Sequence, residues 1–317
     1  MEFIKAINFA PFPKHGALGS EDAKRSLEAL REETAATHII LTPTGIQDTP
    51  QSETIIFSGA WSPEDGELRS FIAFARSLGL KVILKPTVNC GNGVWRAFIN
   101  FFDHEAPCEP KWSAWFASYE RFQLHYAKIA EETGCVMFIA GCEMVMSERR
   151  EREWRDLIAK ARHSFSGPVS YNTDKYQEDA VTWWDCVDVI SSSGYYPAGS
   201  WESQLDRIEE VVKTYGKPFF FAEAGCMSTA SSQNIPNKWD LRGDIDPAGQ
   251  AAWHRDMFEH CRNRPWIEGF GLWSWPWRLP SAEDAGRDGG YSLYGKPVCR
   301  VVKEWFAAGF PREDADS

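Results

Sequence analysis

The chain has 317 residues, 43% hydrophobic, 25% charged and 14% aromatic, which is enough to bury a substantial core within one globular domain spanning residues 1–317. Its formal net charge of −11 argues against nucleic acid or an anionic membrane as partner, since both select for an excess of Lys and Arg. No stretch approaches the ~18 apolar residues of a membrane span. The eight Cys show neither a C-x-x-C pair nor metal-ligand spacing, so they are expected as reduced, mostly buried thiols.

The elements alternate strand, loop, helix. Residues 3–8 read as a first strand and about 20–33 as a helix. The opening Met1-Glu2-Phe3-Ile4-Lys5 resembles a strand more than a signal peptide, so a cytoplasmic location is expected unless a leader precedes it. Residues 37–41 form a second strand. The next helix start is set at Ser62-Pro63-Glu64-Asp65, with Ser as N-cap, Pro at the first helical position, acids in the first turn and Gly79 as the stop. Residues 80–86 give strand three, and 112–133 a long helix closed by Gly134. Strand four is 135–140, backed by a charged helix over about 147–163. Residues 168–171 and 185–191 read as strands five and six, with a short helix over 177–183 between them. A helix over 203–215 ends at Gly216 and leads into strand seven. A polar loop runs to Asp246, followed by a helix to about Cys261, strand eight at 267–273 and a closing helix at 297–306.

Short, mainly apolar strands fit a parallel sheet covered by helices. Eight such units predict a (β/α)₈ TIM barrel, α/β in class. A doubly wound open sheet is the rival, but no G-x-G-x-x-G fingerprint follows any strand, and Gly91-Asn92-Gly93 reads as a turn.

In such a barrel the C-terminal strand ends line the active site. Asn8 ends strand one, and Asp48 lies in the segment after strand two. Lys85 ends strand three, with Trp95 and Arg96 on its loop. Cys135-Val-Met-Phe-Ile-Ala-Gly-Cys-Glu143 carries Glu143 at the end of strand four, with Asn172 and Asp174 after strand five. Tyr195 and Tyr196 follow strand six, Glu223 ends strand seven, and Trp273, Trp275 and Trp277 follow strand eight. Two carboxylates, neutral hydrogen-bonding groups and indoles describe a carbohydrate site. Most of the fifteen Trp are expected in the core, the remainder as flat faces for sugar rings. His38, His125 and His254 have no partner pattern for a triad or a metal. No G-x-S-x-G is present, and no cofactor or metal is implied.

The sequence resembles glycoside hydrolase family 113, the β-mannanases within the retaining glycosidases of clan A. The matching stretches are Gln47-Asp48-Thr49, Leu84-Lys85-Pro86, Gly93-Val94-Trp95-Arg96, Trp112 to Tyr119, Gly141-Cys142-Glu143, Tyr195-Tyr196-Pro197, Tyr215-Gly216-Lys217-Pro218 through Glu223, and Gly290-Tyr291-Ser292 through Gly295-Lys296-Pro297. The resemblance implies hydrolysis of β-1,4-mannosidic linkages with retention, Glu143 acting as acid/base and Glu223 as nucleophile. Carboxyl groups roughly 5–5.5 Å apart are then expected. Tyr195 or Tyr196 is a candidate donor to Glu223, unless both only pack. Trp273 is a candidate platform for the −1 sugar or a cap on the barrel. Lys85, Arg96, Asp48 and Asn172 are candidate contacts to sugar hydroxyls, with an ion pair at the mouth as the alternative for Lys85 and Arg96. The segment Ala224-Gly225-Cys226 departs from the family pattern, and Cys142 stands where many clan members have Asn, so the usual contact to the sugar 2-hydroxyl must come from elsewhere or be absent. An exo-acting β-mannosidase or a hydrolase of another β-glycan are the enzymatic alternatives. A non-catalytic carbohydrate-binding barrel would be expected to lack one carboxylate. The expected partner is a β-linked oligo- or polysaccharide, bound by a monomer.

Overall fold

The computed structural model describes residues 2–309; Met1, where the leader reading begins, and residues 310–317 at the end of the expected domain lie outside the described residues. In chain order the elements are β1 (Ile4–Phe9), α1 (Glu21–Thr34), β2 (His38–Leu41), β3 (Thr44–Gln47), α2 (Asp65–Ser77), β4 (Lys81–Leu84), β5 (Thr87–Cys90), α3 (Trp112–Thr133) and β6 (Met137–Cys142). They continue with α4 (Glu151–Ser164), β7 (Val169–Thr173), β8 (Val189–Gly194), α5 (Trp201–Tyr215), β9 (Phe219–Ala224), α6 (Pro247–Cys261), β10 (Ile267–Trp275), α7 (Ala282–Arg287) and α8 (Pro297–Ala307). Eight parallel strands close in the order β1-β10-β9-β8-β7-β6-β4-β2, the (β/α)₈ barrel expected from the strand–helix alternation.

The barrel interior is filled by Ile4, Ala6, Ile40, Ile83, Met137, Ile139, Val189, Phe220 and Ala222. The larger core lies between strands and helices and takes most of the indoles: Trp112, Trp115, Trp154, Trp183, Trp184, Trp201, Trp253 and Trp275 are fully buried. Trp154 and Trp183 stack at 5.2 Å. Six of the eight Cys are buried, while Cys108 is exposed and Cys186 half-buried. Among the described residues no helix is long and apolar enough to cross a membrane.

Local chemistry moved several boundaries. Helix α2 is capped by Glu64, whose side chain forms a capping box with Glu67, so the expected cap at Ser62 is corrected. The Ser62 hydroxyl instead pairs with the buried Tyr126 hydroxyl at 2.9 Å. No helix forms at 177–183. There Glu178 is turned inward to Ser192, Tyr196 and Arg207, and only a 3₁₀ turn follows at Trp184–Cys186. After Pro43 and Pro86 the second and fourth strands restart as β3 and β5, which pair with each other outside the barrel. Trp115 Nε1 bonds Gln47 Oε1 at 2.8 Å and ties this small sheet to α3.

Two bulges set the site. Against β8, residue 223 of β9 pairs where 222 would by even register, and β6 spends three residues, 139 to 142, where β7 spends two. An extra residue reverses the strand's alternation beyond it. Ile139 and Ala222 fill the barrel, and the bulges turn Cys142 and Glu223 toward its mouth as well.

Candidate active site

A cleft of about 660 Å³ opens at the C-terminal ends of the strands, a volume suited to a small ligand or a few sugar units. Glu143, Glu223, Trp95, Arg96, Tyr195 and Trp273 line it.

Glu223 is enclosed, 3% exposed. Lys85 Nζ donates to its Oε1 at 2.5 Å, and Tyr195 Oη donates to its Oε2 at 2.9 Å. The Cys142 thiol donates to Oε1 at 3.3 Å. Burial alone would push this carboxyl up. The charges of Lys85 and Arg96, with hydrogen bonds from Lys85 and Cys142, outweigh it and hold Glu223 below its ordinary value. Glu223 is therefore ionised at neutral pH, with its charge held by fixed partners.

Glu143 follows β6 in the left-handed backbone region, at φ 53°, a conformation that costs a non-glycine residue about 1–2 kcal/mol. Its N–H donates to Asn172 O at 2.7 Å. Arg96 Nη2 and Trp95 Nε1 donate to its Oε2 at 2.9 and 3.2 Å, and Ser193 Oγ donates to its Oε1 at 2.8 Å. Arg96 is itself fixed, Nε to Cys142 O and Nη1 to Asn89 Oδ1, both at 2.9 Å. Beside this group Asp174 and Lys175 also line the cleft, with Lys175 Nζ 3.3 Å from both Asp174 oxygens. Burial first, then the Glu143 charge, push Asp174 up to about 7 against the opposing pull of Lys175.

The remaining predicted residues fall elsewhere. Tyr196 is fully buried and donates to Glu178, so of the two tyrosines it is Tyr195 that reaches Glu223. Asp48 is exposed and off the cleft, because it follows β3 in the side sheet rather than a barrel strand. Asn172 and Lys85 have no exposed surface; Asn172 donates to Ser193 Oγ and accepts from Lys85, so both brace the carboxylates from below rather than facing the cleft. Asn8 ties β1 to Ala222 O and Gly271 O at 3.0 Å each. Trp273 packs on Phe12 at 5.5 Å, has the Lys85 ammonium 5.6 Å from its ring centroid, and lines the cleft.

Sequence reasoning missed Ser193, Lys175, Tyr291 and the exposed rim aromatics Phe98 and Trp239. One signal was available. Ser191-Ser192-Ser193 is three consecutive hydroxyls in a strand with no exposed residue, and buried hydroxyls need partners. Among the described residues no group of three or more His, Cys, Asp or Glu is arranged to hold a metal ion.

A family model for Glycoside Hydrolase Family 113 matches residues 7–296. A solved GH113 β-1,4-mannanase complex is 52% identical over 97% of this chain and 100% of that one, with a TM-score of 0.96. The GH113 β-mannanase AaManA from Alicyclobacillus acidocaldarius, in complex with ManMIm, is 39% identical over 98% of both chains, with a TM-score of 0.94. A β-glucuronidase from Ruminococcus gnavus, 13% identical with a TM-score of 0.64 over 96% of this chain and 50% of that one, shares the fold alone. No curated protein matches. With its family match running from β1 almost to α8 and its barrel superposing on those mannanases, the chain belongs to glycoside hydrolase family 113.

Proposed function

We propose that the protein hydrolyses β-1,4-mannosidic linkages in mannan or manno-oligosaccharides by double displacement with retention. One observation carries the chemistry: two carboxylates, Glu143 just after β6 and Glu223 on β9, face one cleft, each beside a buried cation, Arg96 and Lys85 respectively. The substrate comes from the likeness to the two GH113 mannanases.

Glu223 attacks the anomeric carbon while Glu143 gives its proton to the leaving oxygen. The C–O glycosidic bond breaks, and the sugar becomes an ester of Glu223. That bond removes the negative charge beside Lys85. Glu143, now a carboxylate within reach of the vacated position, takes a proton from water, and the resulting hydroxide oxygen displaces Glu223. Two inversions leave the β configuration. Tyr195 and Lys85 keep the nucleophile ionised and oriented, and Ser193, Trp95 and Arg96 aim the acid/base. Trp273 offers an indole face to the −1 sugar. Trp95, Phe98 and Trp239, all partly in water at the cleft rim, offer further faces and support an oligomeric substrate.

A product time course on β-1,4-mannohexaose and cellohexaose, with Glu223→Ala as the blank, tests the reading. Internal cleavage of mannohexaose alone, lost in the blank, is the expected result. Turnover that survives Glu223→Ala, or cleavage of cellohexaose only, would overturn it.

A further inference from the structure

The left-handed backbone at Glu143 needs something to hold it, and the structure shows a grip on both flanking peptides. On one side the Glu143 N–H donates to Asn172 O at 2.7 Å. On the other, the Met144 N–H donates to the Tyr171 hydroxyl at 3.1 Å. That hydroxyl in turn donates to Glu148 Oε1 at 2.7 Å, where Thr173 Oγ1 donates at the same distance. The acceptor at Glu148 fixes the direction of the Tyr171 proton and leaves a lone pair for Met144.

Tyr171 reaches this position from the outer face of β7. Its ring lies 4.8 Å from both Trp154 and Trp183. It passes β6 only because residue 141 is glycine: a Cβ there would stand 2.8 Å from the Tyr171 ring and 2.9 Å from Trp154 and Tyr119. Neither Tyr171 nor Glu148 lines the cleft or bonds the Glu143 carboxyl, so neither touches substrate.

We propose that Tyr171, backed by Glu148, is a positioning residue for the acid/base: its hydroxyl locks the 143–144 peptide so that the Glu143 side chain points at the leaving oxygen. This rests on the reading of Glu143 as acid/base. Without the hydroxyl the peptide can turn toward a less costly backbone conformation, carrying the carboxyl away from Ser193 and Arg96.

Leaving-group dependence separates this role from a general loss of fold. Cleaving mannohexaose needs a proton on the leaving oxygen, whereas a 2,4-dinitrophenyl β-mannobioside does not, because dinitrophenolate leaves unaided. For Tyr171→Phe, kcat/KM on mannohexaose falls by about tenfold or more, and on the aryl substrate by no more than about threefold. Glu148→Met shows the same selectivity and serves if Tyr171→Phe does not fold, as judged by circular dichroism. Equal losses on both substrates, or none on either, overturn the proposal. Glu143→Ala is the control. It must spare the aryl substrate and, with azide displacing Glu223 from the intermediate, yield the β-mannobiosyl azide. If that control fails, the assignment of Glu143 is wrong and the Tyr171 result has no bearing on it.

Discussion

Glu223 ends a strand buried on both faces and is gripped from within the barrel, by Lys85 after β4, Cys142 of β6 and Tyr195 after β8. Glu143, across the same cleft, stands in a left-handed turn and is gripped by groups of mixed origin: Arg96 and Trp95 from the long β5–α3 loop, Ser193 from β8, and the Tyr171–Glu148 pair outside the barrel. The difference fits the two tasks proposed for them. A nucleophile needs a constant charge at a fixed point, which buried partners supply. An acid/base must exchange its proton with the sugar and with water, so its supports orient it while it still lines the cleft.

If this contrast holds, substitutions on the two sides fail differently. Glu223→Ala is expected to lower kcat by about 10⁴-fold or more on every substrate, good leaving groups included. Azide then restores turnover with an inverted α-glycosyl azide, and a β-azide would move the nucleophile elsewhere. Lys85→Met comes next. Removing one fixed electrostatic partner of a reacting group is expected to lower kcat by roughly 10²–10³-fold. With the ammonium gone, Glu223 is no longer held low, and the acidic limb of the kcat/KM profile moves to higher pH; an unmoved limb would detach Lys85 from catalysis. Tyr195→Phe loses one hydrogen bond to a charged group, about 1.5–3 kcal/mol, and is expected to cost about ten- to a hundredfold in kcat with a smaller shift of the same limb.

The smallest effect lies on the other side. Burial pushes Glu148 up to about 8 against hydrogen bonds from Tyr171 and Thr173. Its folded value lies above the 4.5 of the unfolded chain, so its stabilising contribution is complete below pH 4.5 and is lost as pH rises through 8. The Tm of the wild type should therefore fall by several degrees between pH 6 and 9, and Glu148→Gln should flatten that decline. An identical decline in both would place the effect elsewhere.

The same contrast explains what could be read in advance. Strand-end reasoning pointed to both glutamates, Tyr195 and Trp273, which line the cleft, and to Lys85, which lies beneath it, because short apolar runs between capped helices mark where each strand stops. It gave Tyr196 and Asn172 the same standing as Tyr195, since only packing decides which of two adjacent side chains turns inward. The bulges in β6 and β9 break the two-residue period, and no residue type announces them. Asp48 was misplaced because Pro43 ends a barrel strand and starts a side strand, two outcomes that proline allows equally. Trp95 and Arg96 were named from the sequence, but their contact to Glu143 follows from the path of a long loop, and Ser193 reaches it from β8, contacts far apart in sequence.

The most direct test follows the anomeric proton signals of mannohexaose by NMR during the first turnovers. The account predicts that internal cleavage releases the β-anomer first, with the α-anomer appearing only by mutarotation, and that Glu223→Ala releases neither. An α-anomer at the earliest times would mean inversion and would contradict Glu223 as the nucleophile.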